Sequence, residues 1–162
     1  MSMVNKNIEI LNGLTSVVTR DYQVDSSLED SLKPNADHPL EQGEWLIVSG
    51  NKVKRPSEVF GDGTTATPPG LVMVWTQKGR ADIRATKKVT CIIGGSFEVD
   101  VADSLVSGTP TVENPVTIKS EEIVAGSVYK AKLAPHPGDD AVIYGTCYRG
   151  STRGAYRFKI EI

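Results

Sequence analysis

The stretch Val89-Thr90-Cys91-Ile92-Ile93-Gly94-Gly95-Ser96-Phe97-Glu98-Val99-Asp100-Val101 decides the fold class. A run of β-type residues lies on each side of Gly94 and Gly95, and in the second run Phe97, Val99 and Val101 alternate with Glu98 and Asp100. A period of two puts the apolar set on one face of a strand and the carboxylates on the other. A glycine pair between two such runs predicts a hairpin, because both turn residues can take positive φ at little steric cost.

Similar runs extend in both directions. Glu44-Trp45-Leu46-Ile47-Val48, the turn cluster Ser49-Gly50-Asn51 and Lys52-Val53-Lys54 predict a second hairpin. Leu71-Val72-Met73-Val74-Trp75-Thr76 is almost continuously apolar, as in a strand buried on both faces. Further strands are predicted at Pro115-Val116-Thr117-Ile118, Val128-Tyr129-Lys130-Ala131 and Ala141-Val142-Ile143-Tyr144. The terminal Tyr156-Arg157-Phe158-Lys159-Ile160-Glu161-Ile162 alternates so strictly that one of its faces must be wet. Residues 58–70 hold three glycines and two prolines, which predicts an exposed loop. The sum is about eight or nine strands at the spacing of sandwiches and barrels. No helix of convincing length and no fixed-period repeat is evident. The expectation is a mostly β protein, a compact β-barrel-like or sandwich domain with an extended N-terminal arm.

That arm is set apart by texture. Residues 1–39 form an N-terminal arm and loop, and residues 40–162 form the β domain. Ile8, Leu11, Leu14, Val17, Val18 and Tyr22 are scattered without sustained period, and a polar, acidic stretch follows them. A short helix over residues 27–32, capped by Asp25 or Ser26, fits that stretch. The arm cannot build a core alone, so its apolar residues need a surface to cover, on their own domain or on a neighbour. These six are therefore candidate partner-binding residues. Arg149 and Arg153, in the loop-like segment from Tyr148 to Arg157, join them, because guanidinium forks suit a negatively charged patch on another protein.

Composition narrows the function classes. At 162 residues, 39% hydrophobic and 23% charged, the chain has the make-up of one folded domain. The net charge is −2, and residues 1–40 carry three basic against six acidic residues. Nothing resembles the dense basic footprint of a nucleic-acid binder, so no nucleic-acid partner is expected. No apolar run approaches the roughly 18–20 residues of a membrane span, and no secretion signal is evident, which predicts no membrane association and a chain soluble where it is made. Cys91 and Cys147 lie in apolar runs and read as buried thiols.

The search for chemistry returns little. His38 and His136 each precede a proline, and no HxH, HxxxH or CxxC spacing occurs, so no metal site is expected. Asp139 and Asp140 follow Pro137-Gly138 and read as a turn. Glu98 and Asp100 read as a solvated strand face, with Asp103 nearby. Gly61-Asp62-Gly63 satisfies no phosphate-loop pattern and no serine lies in GxSxG. Neither a catalytic residue nor a cofactor is expected.

The order of segments resembles the decoration, or cement, proteins of tailed-bacteriophage heads. The resemblance is carried by Leu40-Glu41-Gln42-Gly43-Glu44-Trp45-Leu46, Val53-Lys54-Arg55-Pro56 and Met73-Val74-Trp75, then Ala85-Thr86-Lys87-Lys88-Val89-Thr90-Cys91-Ile92-Ile93-Gly94-Gly95-Ser96-Phe97-Glu98-Val99. Gly126-Ser127-Val128-Tyr129-Lys130-Ala131 and Gly138-Asp139-Asp140-Ala141-Val142-Ile143-Tyr144-Gly145 fit the same family habit. It covers residues 40–162. It implies a β-barrel or β-tulip domain, made in the host cytoplasm and placed on the capsid surface of the virion as a homotrimer or dimer. Its partner there would be the major capsid protein. A phage tail-tube or baseplate subunit is the structural alternative. A carbohydrate-binding β-sandwich using Trp45, Trp75 or Tyr148 as stacking platforms is the alternative from another class.

Overall fold

Leu71 to Val74 form strand β5, and all four residues are buried. The two faces of this strand serve different cores. Leu71 and Met73 pack with Trp45 and Ile92 in the larger core, while Val72 and Val74 pack with Leu46, Val89 and Cys91 in the smaller. A continuously apolar strand is what a wall between two cores requires. The protein is described by a computed structural model covering residues 7–76, 86–138 and 141–162. Residues 1–6 of the arm, residues 77–85, Asp139, Asp140 and the Leu14 side chain lie outside the described set.

The smaller core fills a closed five-stranded barrel. Its ring runs β3 (Trp45–Ser49), β4 (Lys52–Lys54), β2 (Val18–Val24), β6 (Lys88–Gly94) and β5, which pairs again with β3. The β2–β4 contact is parallel and the others are antiparallel. Tyr22, Val24 and Val53 point inward, and Leu28, Leu32 and Leu40 pack into the same core. Leu28 and Leu32 come from a 3₁₀ helix, Ser26–Leu32, whose cap is Asp25; its carboxylate accepts the Ser27 N–H at 3.0 Å.

The remaining strands form a wing in the order β1 (Ile8–Asn12), β7 (Ser96–Ala102), β11 (Ala155–Glu161), β10 (Gly145–Thr152), β8 (Pro115–Val124) and β9 (Val128–Pro135). A single residue pair, Trp45 with Ala131, links β9 to the barrel. The wing lays Ile8, Phe97, Val99, Phe158, Ile160, Ile118 and Leu133 against the outside of the barrel. Each such side chain contributes about 1.5–3 kcal/mol on burial. The segment from residue 58 to 70 is less exposed than its breakers suggest: Phe60 is in the larger core, and the Ser120 hydroxyl accepts its N–H at 2.8 Å.

Two expectations change. The Gly94-Gly95 stretch is not a hairpin: β6 pairs with β2 and β5, whereas β7 pairs with β1 and β11. The chain turns a corner there and passes from barrel to wing. Gly95 has φ +126, and a Cβ on it would lie 2.5 Å from the Ser16 carbonyl oxygen, so the corner depends on a bare backbone. The described part of the arm is also woven in, since β1 adds to β7 and β2 completes the barrel. Ile8, Val17 and Tyr22 cover the chain's own strands, while Leu11 and Val18 stay exposed.

Both cysteines are buried and unpaired. Burial, reinforced by the charge of Asp21, pushes the Cys91 thiol up to about 12, and burial also raises Cys147. Thiolate is the reactive form. Neither cysteine is expected to react with a disulfide reagent at pH 8 in the native protein, and both should react fully in denaturant. Rapid native labelling of Cys91 would contradict the barrel interior.

Candidate functional site

The outer face of the wing gathers the charges that the alternation of β7 and β11 turns away from the core. Across four strands the register aligns Glu9 with Asp100, Asp100 with Arg157 and Arg157 with Arg149. The adjacent row aligns Asn12, Glu98, Lys159 and Thr146. The β1–β7 side is thus acidic and the β10–β11 side basic.

Asp100 lies at the centre and is only 5% exposed. Arg157 grips it with two hydrogen bonds, Nε to Oδ1 at 2.8 Å and Nη2 to Oδ2 at 3.2 Å. These bonds, with the charges of Asp100, Glu98 and Glu9, raise the Arg157 pKa further above its high ordinary value. Arg149 stands on the other side of Arg157, its Nη2 3.6 Å from Asp100 Oδ2, beyond hydrogen-bonding distance. Its Nε is buried with no hydrogen-bond partner among the described residues. A β-bulge between Cys147 and Arg149 inserts Tyr148, which is 48% exposed. The β10–β11 turn has Arg153 at φ 54 and Gly154 at φ 81, the pattern of a two-residue primed turn. Asp103 meets the same hairpin by accepting from Ser151 Oγ at 2.8 Å.

Seven of the eight sequence candidates separate accordingly; the side chain of the eighth, Leu14, lies outside the described set. Ile8 and Tyr22 are buried in the two cores and cannot meet a partner. Burial on their own strands explains the correction: β1 turns Ile8 inward and β2 turns Tyr22 and Val24 inward, which the scattered pattern did not reveal. Val17 is half-buried against the larger core, and Val18 is exposed near Gly94, away from the charged rows. Leu11 is exposed at the irregularity in β1 beside Asn12, whose Nδ2 donates to Glu98 at 2.8 Å. Arg149 and Arg153 lie on the basic side. Asp100 and Arg157, the organising pair, were missed as site residues. Alternation had marked Asp100 as solvated, whereas two arginines cover it.

Other candidates come to less. Trp45 is fully buried and Trp75 packs partly buried on the larger core, so neither offers an open stacking platform. His136 sits in a local turn, where Nδ1 accepts the Gly138 N–H at 3.0 Å and Nε2 lies 2.7 Å from the Ala141 oxygen. No group of three or more metal-ligating side chains exists among the described residues. A polar groove of about 420 Å³ lies between Lys54–Ser57 of the barrel and the β8–β9 turn, with Asp25, Ser27 and Tyr129 on its walls. Comparison with protein-family models, curated protein sequences and solved structures gives no match.

Proposed function

We propose that the chain is a non-enzymatic structural subunit that works by binding other protein subunits, and that its setting is the surface of a tailed-phage head. There it would bridge neighbouring copies of the major capsid protein, itself as a small homo-oligomer. The observation that carries the binding role is the wing's outer face, where an ordered array of charges ends at β1. Among the described residues β1 has one neighbouring strand, β7, so its other edge is open to strand addition. The phage setting is carried by the sequence resemblance over residues 40–162.

Cementing of this kind acts by mass action, since many copies that bind the closed shell better than a loosened one stabilise the closed shell. Purified heads lacking the protein are expected to co-sediment with added chain to saturation, and the occupied heads should withstand heating that opens bare ones. Substituting Leu11 with lysine should reduce the saturation level. Absence of co-sedimentation would end the capsid reading. Spontaneous rings or tubes in light scattering without heads would replace it with the tail-tube reading.

A further inference from the structure

We propose that the basic side of the wing, Arg149 on β10, Arg157 on β11 and Arg153 in the turn between them, docks carboxylate side chains of an acidic segment on a partner protein. The proposal rests on the reading of the chain as a subunit-binding protein and adds the chemistry of the partner.

Arg149 and Arg157 are direct cross-strand partners, an arrangement of like charges that destabilises a sheet unless a counter-charge is shared. Asp100 is the carboxylate in ion-pair reach of both, and Arg157 holds both its oxygens. Arg149 is left at 3.6 Å from Asp100 with an unanswered Nε. The Arg149 side chain is 37% exposed, so a second carboxylate above the pair would meet the outer nitrogens of its guanidinium, and a guanidinium fork matches a carboxylate's two oxygens. The turn adds an independent observation. A primed turn favours asparagine or glycine, yet Arg153 occupies the left-handed region at φ 54. Local stability does not account for an arginine there, whereas recognition does. The Tyr148 bulge sets a half-exposed aromatic next to Arg149, and bulges commonly re-aim side chains beside functional sites. Glu98, Asp100 and Glu9 confine the positive charge to the β10–β11 side of the face, a footprint that suits one or two carboxylates and is too small for an extended nucleic-acid backbone.

The test uses the full chain and two probes, a hexaglutamate peptide and a ten-nucleotide oligothymidylate, followed by the arginine Nε–Hε resonances in NMR. The peptide is expected to shift Arg149 saturably. Arg149→Gln should weaken that binding about tenfold, the loss of a charge-assisted contact. Arg153→Asn should weaken it about threefold while raising Tm by roughly 2–4 °C through relief of the turn. Lys54→Gln, on the barrel, should leave it unchanged. A silent Arg149 resonance, unaltered binding in Arg149→Gln, or tighter binding of the oligonucleotide at the same residues would overturn the proposal. A protein that occupies heads yet ignores the peptide loses only the acidic site, and one that binds the peptide yet ignores heads loses only the capsid reading.

Discussion

Replacing Glu44 with alanine is expected to lower the unfolding free energy by about 3–5 kcal/mol, read as a lower urea midpoint at unchanged slope. Glu44 is fully buried where the chain enters β3. Arg55 donates Nε to its Oε1 at 2.5 Å and Nη2 to its Oε2 at 3.2 Å, and the Glu41 N–H reaches Oε2 at 3.2 Å. The same guanidinium donates to the His38 and Pro39 carbonyls at 3.0 and 3.1 Å. One ion pair thereby ties the loop before β3 to the end of β4. Removing the carboxylate leaves a guanidinium only 12% exposed without its counter-charge, which costs more than the pair itself is worth. Glu44→Gln keeps one acceptor and should lose about 1.5–3 kcal/mol. The double change Glu44→Leu with Arg55→Met should recover most of the loss, since an apolar pair of similar volume removes both charges together. Asp30→Ala breaks the exposed Asp30–Lys33 pair and should leave the urea midpoint where it is in the parent. An alanine variant at position 44 within 1 kcal/mol of the parent, about the value of an exposed pair, would show the pair to be hydrated in solution.

How far the sequence was legible follows from the range over which each signal acts. Alternation in Tyr156 to Ile162 and the apolar run of β5 are local, and both strands lie as those patterns predict. The Gly94-Gly95 corner was not legible as a corner. Two β runs around a glycine pair suit a hairpin and a sheet change equally, and what decides is the Ser16 carbonyl, 79 residues from Gly95 in sequence. β2 hid for another reason: only Tyr22 and Val24 of its seven residues are buried, too few to raise a period of two. The site divides in the same manner. Arg149 and Arg153 stood out as basic residues beside aromatics, but the Asp100–Arg157 bond that organises them spans 57 positions. No local pattern carries that register.

Deleting residues 1–22 is expected to abolish folding, and this separates a removable tether from an integral pair of strands. The deletion takes β1 away from β7, along with Ile8 from the larger core. It also takes β2 through Tyr22, which leaves Gln23 and Val24 against β4 but strips all of the β6 pairing except Gln23 with Lys88, and so exposes the barrel core. Ile8 and Tyr22 alone contribute about 1.5–3 kcal/mol each by burial. With the lost strand pairing and the newly wetted faces of Val53, Val89 and Cys91, the total reaches the ~5–15 kcal/mol that stabilise a whole domain. The truncated chain should show no cooperative thermal transition, and Cys91 should react with a thiol reagent at once. Leu11→Ser and Val18→Ser change exposed positions of the same strands and should stay within about 0.5 kcal/mol of the parent. A truncated chain that melts cooperatively with Cys91 still protected would restore the detachable arm. Loss of head binding on deletion therefore says nothing about the arm until folding has been measured, and the single exposed substitutions are the variants that report on attachment.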